Sequence, residues 1–194
     1  IQTWLKDRRQ HVCIEGEISD WKGVTSGVPQ GSVLGPILFL IYINDLDSNL
    51  ISKIGKFADD TKLCKGISNS IDVENLRSDL DKLSKLSRDW QMEFNIDKCS
   101  VLHVGTKNER NKYSLCNRNL RVSHKERDLG IIMDDKLKFT EQCNNAVRNA
   151  NITLGMIRRT ISNKSKKIVT QLYKSLIRPK LEYCVQAWRP YLKR

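Results

Sequence analysis

The sequence of 194 residues lacks several features that would assign it to a particular class of protein. It has three histidines, and its six cysteines are widely spaced without a Cys-x-x-Cys pair, so the usual spacing of a zinc site is missing. The longest apolar run, residues 33–43, contains a glycine and a proline and is shorter than the ~20 residues that cross a bilayer. We therefore expect a globular protein with free thiols in a reducing compartment, the nucleus, the cytoplasm or both.

Acidic side chains are nearly missing from the last quarter of the chain. Residues 142–194 contain 12 Lys and Arg against the single acid Glu182, whereas residues 1–141 contain 22 against 21. The formal net charge of +12 therefore lies almost wholly at this end, which favours a polyanionic partner such as nucleic acid. The cations follow two predicted helices, residues 141–160 and 165–188. The candidate nucleic-acid-binding residues are Arg158, Arg159, Lys166, Lys167 and Lys174.

Two adjacent acids, Asp59 and Asp60, interrupt a strand-like run over residues 54–64. Charged residues are uncommon in strand interiors, so the pair needs an explanation. A hairpin turn is one explanation, because Asp favours turns and apolar-leaning residues flank the pair. A Mg²⁺ site is the other, because Mg²⁺ prefers hard oxygen ligands and is usually held by one or two carboxylates together with substrate phosphates. A second pair, Asp134 and Asp135, has a similar local setting, so local pattern does not separate the two pairs.

A glycine-rich loop over residues 26–32 leads into an apolar helix. Ser32 is a good N-cap, and apolar residues at helical spacing between 33 and 42 predict about three turns. A loop of this kind presents free backbone N–H groups at the positive end of a helix, which suits a phosphate or a nucleic-acid backbone. A plain connection between strand and helix is the alternative, because the Gly-Lys-Ser/Thr of a Walker loop is missing.

The rest of the chain mixes helical and extended patterns. Residues 71–94 predict a long amphipathic helix with acids in its first turn. Short extended pieces follow, the last over residues 137–139, and the polar loop at 106–112 is a candidate boundary. We therefore predict an α+β fold.

The order of several motifs is more specific than any one of them. Residues 25–36 (TSGVPQGSVLGP), a helix ending in NDL at 44–46 and KFADDTKL at 56–63 are followed by NIDKC at 95–99, RDLGI at 127–131 and LEYC at 181–184. Together they resemble the reverse transcriptases of non-LTR, LINE-type retrotransposons, and the jockey-like group looks nearest. The resemblance covers essentially the whole chain.

The resemblance implies an RNA-directed DNA polymerase of right-hand architecture. Residues 1–139 correspond to part of the palm, with the motifs in 1–105 and connecting hairpins in 106–139, and residues 140–194 to a basic helical thumb. The implied partners are an RNA template, a DNA primer or hybrid duplex, and deoxynucleoside triphosphates. Asp134 and Asp135 match no catalytic motif and are expected to form a turn.

The resemblance also assigns roles to individual residues in a two-metal nucleotidyl transfer. Asp59 coordinates Mg²⁺, Asp60 assists, and Lys98 approaches the triphosphate. The loop residues that position template and incoming nucleotide are Gly27, Pro29, Gln30 and Gly31.

One element of the family pattern is missing. Polymerases of this kind take another metal-binding Asp from an earlier palm strand, and the 25 residues before Ser26 contain no strand with a central Asp. We therefore expect a fragment with an incomplete Mg²⁺ site that is inactive alone. The alternative is a non-catalytic nucleic-acid-binding remnant or co-opted domain that uses the basic thumb. A product that does not fold stably is the third possibility.

Overall fold

A computed structural model describes residues 1–162 and 165–189. The chain divides into two compact units, Ile1–Met92 and Glu93–Arg194, and each is described by itself. Both combine helices with small two-stranded sheets, so the predicted α+β class is confirmed. The described helices include none that is long and apolar enough to cross a membrane.

The first unit is built from hairpins and two longer helices. Its strands pair antiparallel, β1 with β4, β2 with β3 and β5 with β6. Its elements in chain order are α1 (Gln2–Leu5), β1 (Arg9–Gln10), β2 (Cys13–Ile14), β3 (Glu17–Ile18), β4 (Lys22–Gly23), α2 (Leu34–Tyr42), a 3₁₀ helix (Asn44–Asp47), β5 (Lys53–Phe57), β6 (Asp60–Cys64) and α3 (Ser70–Asp89).

Helix α3 begins and ends for identifiable reasons. The side chain of Asn69 accepts a hydrogen bond from the Asp72 N–H over 3.0 Å and caps the first turn. Its apolar stripe includes the buried Val73, Leu80 and Leu83. The predicted extension to residue 94 is wrong, because the helix ends at Asp89 and Gln91 adopts a φ of 51°, outside the helical region.

The second unit contains short strands followed by helices. Strand β7 pairs parallel with β10, whereas β8 and β9, and β11 and β12, pair antiparallel. Its elements in chain order are a 3₁₀ helix (Ile96–Lys98), β7 (Ser100–Leu102), β8 (Ser114–Leu115), β9 (Arg118–Asn119), β10 (Arg121–Ser123), β11 (Lys125–Asp128), β12 (Ile131–Asp134), α4 (Thr140–Thr160), α5 (Lys166–Leu172), a π-helical turn (Tyr173–Ile177), α6 (Arg178–Glu182) and α7 (Val185–Trp188).

Helix α4 forms the core of this unit. Ala146 packs with Ile131 and Trp188 in one cluster, and a second cluster joins Ala150 and Ile157 to Ile177. The helix predicted over residues 141–160 is confirmed by α4. The connection predicted over 161–164 includes residues 163 and 164, which lie outside the described residues, as do 190–194.

Two other predictions for this unit are wrong. The single helix expected over 165–188 is broken into segments, and Cys184 interrupts it with a φ of 53°. The extended piece expected at 137–139 is a turn, because the φ of Leu137 is 52° and its N–H bonds to the Asp134 carbonyl over 3.0 Å. The division into palm and thumb between residues 139 and 140 stays a prediction.

Candidate functional site

The paired acids lie at the tip of the hairpin formed by β5 and β6. Phe57 pairs with Asp60, so the connecting loop has two residues, Ala58 and Asp59. Ala58 has a φ of 50°, and a positive φ at the first loop residue is a feature of the tight turns that suit the twist of a hairpin. The hairpin interpretation of the local pattern is therefore confirmed. It places Asp59 in the turn itself and Asp60 at the first position of β6.

The two faces of this hairpin differ in exposure. Ile54, Lys56 and Leu63 alternate on the half-buried face, and Asp60 lies on the opposite, exposed face. The side chains of Asp59 and Asp60 are exposed and make no hydrogen bond or ion pair with any described residue. Both carboxylates thus offer all their oxygens to a ligand.

This donor set fits a magnesium ion only in part. Mg²⁺ is commonly held by one or two carboxylates together with substrate phosphates, and Asp59 and Asp60 supply the carboxylates. Within the described ranges, no group of three or more His, Cys, Asp or Glu side chains that could hold a metal occurs. The hairpin tip therefore suits a metal ion that arrives with, or is completed by, other oxygen ligands.

Lys56 connects the half-buried face of the hairpin to the end of α2. Its ammonium donates to the Asn44 carbonyl over 2.8 Å, to Asp47 Oδ1 over 2.9 Å and to the Ile43 carbonyl over 3.4 Å. The hydrogen bond from Lys56 lowers the pKa of Asp47, so this carboxylate stays charged. A cation at the C-terminal end of a helix also interacts favourably with the helix dipole.

The glycine-rich loop is held at both of its ends. Gly27 and Gly31 have φ values of 74° and 80°, which other residues rarely adopt. Arg8 donates through Nη2 to the carbonyls of Gly27 over 2.5 Å and of Ser26 over 3.2 Å. An arginine remote in sequence therefore fixes the beginning of the loop, a role that the sequence pattern did not indicate.

The end of the loop is closed by Ser32. Its hydroxyl donates to the Pro29 carbonyl over 2.8 Å and accepts from the Gly35 N–H over 3.0 Å. The N-cap position of α2 is Val33, one residue later than predicted, but Ser32 still supplies a side-chain hydrogen bond to the first turn. A side chain at Gly35 would lie 2.9 Å from the Pro29 oxygen, so only glycine fits there. Gln30 projects from the exposed part of this loop. The backbone of residues 27–31 is thus held in one conformation at the start of α2.

Sequence reasoning missed a buried carboxylate behind the hairpin. Asp79 on α3 is fully buried and accepts from the N–H groups of Ile51 and Ser52, the latter over 2.7 Å, and from Lys82 over 3.0 Å. Burial alone raises its pKa, but these hydrogen bonds outweigh burial and lower the pKa to about 2. Asp79 therefore ties the chain entering β5 to α3. An acid among the apolar residues of the α3 stripe was the signal available in the sequence.

Lys98, predicted to approach the triphosphate, belongs to the second unit. It ends the 3₁₀ helix Ile96–Lys98, and its side chain is exposed with no hydrogen bond or ion pair to a described residue. The backbone around it is closed by the Asn95 carbonyl, which accepts from the Lys98 N–H over 3.1 Å. Its ammonium is thus free to meet an anion.

The five cations predicted to bind nucleic acid are exposed in the second unit. Arg158 and Arg159 lie in the last turn of α4. Lys166, Lys167 and Lys174 line an open depression of about 680 Å³ together with Thr170 and Gln171. The structure thus brings these three lysines to one surface.

Two neighbouring cations, Arg178 and Lys180, already have side-chain partners. Arg178 donates to both carboxylate oxygens of Glu182 over 2.8 Å, and Lys180 donates to Thr153 Oγ1 over 2.6 Å. Lys166, Lys167 and Lys174 are therefore the cations of this surface whose side chains have no partner among the described residues.

Residues 1–140 match the family described as "Reverse transcriptase (RNA-dependent DNA polymerase)". The chain belongs to this family. It is 27% identical over 201 residues to the RNA-directed DNA polymerase from mobile element jockey of Drosophila melanogaster, and 23% identical over 201 residues to its namesake from Drosophila funebris. It is 25% identical over 199 residues to the probable RNA-directed DNA polymerase from transposon X-element of Drosophila melanogaster. Each alignment covers 97% of this chain and 22% of the relative.

The match confirms the resemblance to jockey-type reverse transcriptases. The region matched to the reverse transcriptase family contains the glycine-rich loop, the Asp59–Asp60 hairpin and Lys98. Reverse transcriptases generally use a divalent metal ion and act on RNA templates and DNA. The basic helices beyond residue 140 lie outside the family match but inside the alignments to the jockey and X-element polymerases.

Two further motifs of the reverse transcriptase resemblance contact each other in the second unit. Tyr183 of the LEYC motif donates its hydroxyl to the Leu129 carbonyl of the RDLGI motif over 2.9 Å. The Tyr183 ring lies 3.4 Å from where a side chain at Gly130 would begin, and Gly130 has a φ of 86°. These motifs are thus joined by packing. By contrast, Asp134 caps its own turn by accepting from the Lys136 and Lys138 N–H groups, which confirms the turn expected there.

Proposed function

We propose that this chain is the part of a retrotransposon RNA-directed DNA polymerase that supplies the paired carboxylates and a basic nucleic-acid surface. The observation that carries the proposal is the position of Asp59 and Asp60, two exposed carboxylates with no partner among residues 1–162 and 165–189, at the tip of a tight hairpin. In this proposal the first part of the chain belongs to the palm of a right-hand polymerase and the C-terminal helices to its thumb. Such a polymerase works inside the cell, in the nucleus or the cytoplasm.

Asp59 and Asp60 would hold Mg²⁺ in this proposal. A divalent metal at such a site stabilises the charge that develops on the attacking and leaving oxygens of a phosphoryl transfer. The carboxylates bind and orient it, and Lys98 offsets negative charge on the triphosphate. The loop of Gly27, Pro29, Gln30 and Gly31 positions the template and the incoming nucleotide with backbone groups that Arg8 and Ser32 hold in place.

The basic surface would bind the template, the primer or their hybrid duplex. Lys166, Lys167 and Lys174 line a common depression on this helical segment. Arg158 and Arg159 add two exposed cations at the end of α4. Contacts of this kind act on phosphates and do not read sequence.

A metal-binding measurement tests the carboxylate assignment directly. Mn²⁺ titrated into the chain should give an electron paramagnetic resonance binding curve that Asp59→Asn and Asp60→Asn each weaken about tenfold or more. The matched control is Asp81→Asn, which removes an exposed carboxylate from α3 of the same unit. Equal Mn²⁺ affinity in all four proteins would refute the assignment.

A primer-extension assay tests the activity of the chain by itself. With two carboxylates at the hairpin and no third ligand grouped with them in the described part of the chain, we expect no extension of a DNA primer on an RNA template in Mg²⁺. Extension would overturn this proposal of inactivity. If extension occurred and Asp59→Ala left it unchanged, the role of Asp59 would be refuted as well.

A non-catalytic nucleic-acid binder is the second candidate, and the shared depression of three lysines favours it. For a cationic protein, the logarithm of affinity falls with the logarithm of salt by roughly 0.7 to 0.9 per phosphate contact. Replacing Lys166, Lys167 and Lys174 by Gln should therefore reduce that slope by about 2. The control replaces the exposed Lys53, Lys85 and Lys107 by Gln, which removes the same charge. Identical slopes in both triple variants would refute the proposed surface.

A further inference from the structure

The hairpin and the glycine-rich loop lie at opposite ends of the same helix. The loop ends at the start of α2, where Ser32 joins Pro29 to Gly35. The hairpin is attached to the other end of α2, where Lys56 bonds to Ile43, Asn44 and Asp47. We propose that Lys56 is a positioning residue of the polymerase site, which fixes the Asp59–Asp60 hairpin to α2 and so sets its placement relative to the loop. This inference rests on the proposed function.

The contacts of Lys56 can fix both the orientation and the position of β5 relative to the end of α2. Three oxygens from two successive elements, the end of α2 and the following 3₁₀ helix, surround one ammonium group. The Lys56 side chain is only 22% exposed, so solvent screens this ion pair less than a fully exposed one. A fixed cation between backbone carbonyls and a carboxylate therefore restrains the strand that carries it.

Lys56 is separated from the turn that carries the carboxylates by a single ladder pair, so its contacts also restrain that turn. Lys56 pairs with Thr61 in the ladder, and the next pair, Phe57 with Asp60, closes the loop that contains Asp59. On the other side, α2 has nine residues and spans about 13 Å at the usual helical rise. A nucleotide that contacts both the metal at the hairpin and the backbone of residues 27–31 would depend on this separation, whereas a bare metal ion would not.

The chain offers a conservative variant and a matched control. Lys56→Arg keeps a cation and several donors, and Lys56→Met removes the charge at similar length. Lys53→Met removes a lysine from the same strand, and Lys53 is exposed and makes no side-chain hydrogen bond to a described residue. If Lys56→Met failed to fold, Asp47→Asn would weaken the same contact from the other partner.

Two measurements on the 194-residue chain test the inference. The first is the affinity for Mn²⁺ alone and for Mn²⁺ with dTTP, followed by paramagnetic resonance. Lys56→Met should leave the affinity for Mn²⁺ alone within about twofold and weaken binding of the Mn²⁺–dTTP complex about tenfold, because only the complex spans both elements. Lys56→Arg should restore most of that loss, and Lys53→Met should match the unsubstituted chain. The second measurement is amide hydrogen exchange, which Lys56→Met should accelerate about tenfold in β5 and β6.

Each outcome decides the matter. Mn²⁺ affinity that does not depend on Asp59 rejects the proposed metal site, and the role of Lys56 falls with it. Mn²⁺ affinity that depends on Asp59, with unchanged Mn²⁺–dTTP binding in Lys56→Met, rejects the role of Lys56 alone. An equal loss of affinity for both probes, or unchanged hydrogen exchange, also overturns it, because the first indicates general unfolding and the second shows that the hairpin was never restrained.

Discussion

The Tyr183 hydroxyl donates a hydrogen bond of 2.9 Å to the Leu129 carbonyl, 54 residues earlier in the chain. The contact joins the C-terminal helices to the turn between β11 and β12. That turn needs Gly130, whose φ is 86° and whose missing side chain leaves room for the tyrosine ring at 3.4 Å. The packing of the second unit therefore depends on a backbone conformation that other residues rarely adopt.

We expect Gly130→Ala to destabilise the second unit by about 1–3 kcal/mol, because alanine at the positive φ of this position is strained. Urea unfolding followed by tryptophan fluorescence measures the change, since Trp188 is buried in this unit. The matched control is Gly155→Ala within α4, which has open space around it and should be neutral or stabilising by up to about 1 kcal/mol. Equal effects of the two substitutions would contradict the prediction.

The buried Asp79 makes the stability of the first unit depend on pH. Its pKa of about 2 in the folded chain is lower than the ~3.9 of an unfolded carboxyl, so its contribution is present above pH ~5 and disappears as the pH falls towards 2. The shift corresponds to about 2 kcal/mol. Asp79→Asn should therefore lower stability at pH 7 and reduce the loss of stability between pH 7 and pH 3. Amide exchange or unfolding at pH 7 and pH 3 measures both effects.

The control for Asp79 is Asp81→Asn on the same helix, where the carboxylate is exposed. It should leave both the stability and its pH profile unchanged. If Asp79→Asn and the unsubstituted chain lost the same stability between pH 7 and pH 3, the carboxylate would not be the titrating group.

Arg8 should control the order of the glycine-rich loop. Arg8→Gln removes the donors to Gly27 and Ser26, so exchange of the Val24 amide, which donates to the Arg8 carbonyl over 2.8 Å at the base of the loop, should accelerate several-fold. Hydrogen exchange resolved by peptide measures this, and Arg9→Gln is the control because Arg9 is exposed on the neighbouring strand position. Protection of the Val24 amide that is the same in both variants would show that Arg8 does not hold the loop.

Substitution of Asp134 tests whether the two acidic pairs have different roles. It accepts from the Lys136 and Lys138 N–H groups, so Asp134→Ala should cost about 1 kcal/mol of stability, as the loss of a cap does. It should leave Mn²⁺ affinity unchanged, whereas Asp59→Asn should do the reverse. A fall in Mn²⁺ affinity in Asp134→Ala would contradict this division of roles.

Local signals predicted much of the fold. The acid in the first turn of α3 was a sequence signal for the start of that helix, and Ser32 predicted the start of α2 to within one residue. The hairpin around Asp59 was one of two interpretations of the strand-like run over residues 54–64. The ordered motifs predicted the reverse transcriptase family, which the family match confirms. These features depend on neighbours within a few residues, and such neighbours are visible in a sequence.

Other features depend on partners far along the chain. Asp79 binds N–H groups 27 and 28 residues away, and nothing near it in the sequence specifies them. The helix expected over 165–188 breaks at Cys184, next to the residue that reaches back to Leu129. Arg8 likewise acts on a loop 18 and 19 residues later. Periodicity carries no information about such contacts, so it predicted neither the buried acid nor the broken helix.

Ala58 has a further consequence for the hairpin tip. A residue with a β-carbon held at a φ of 50° is in a conformation that an isolated peptide avoids, at a cost of about 1 kcal/mol. Glycine at this position would relieve that cost and make the chain more stable, but it would also let the turn sample other shapes. Thermal stability and a well-defined arrangement of the two carboxylates are therefore competing properties at this one position. Selection for heat resistance alone would favour glycine here and a turn with more than one conformation.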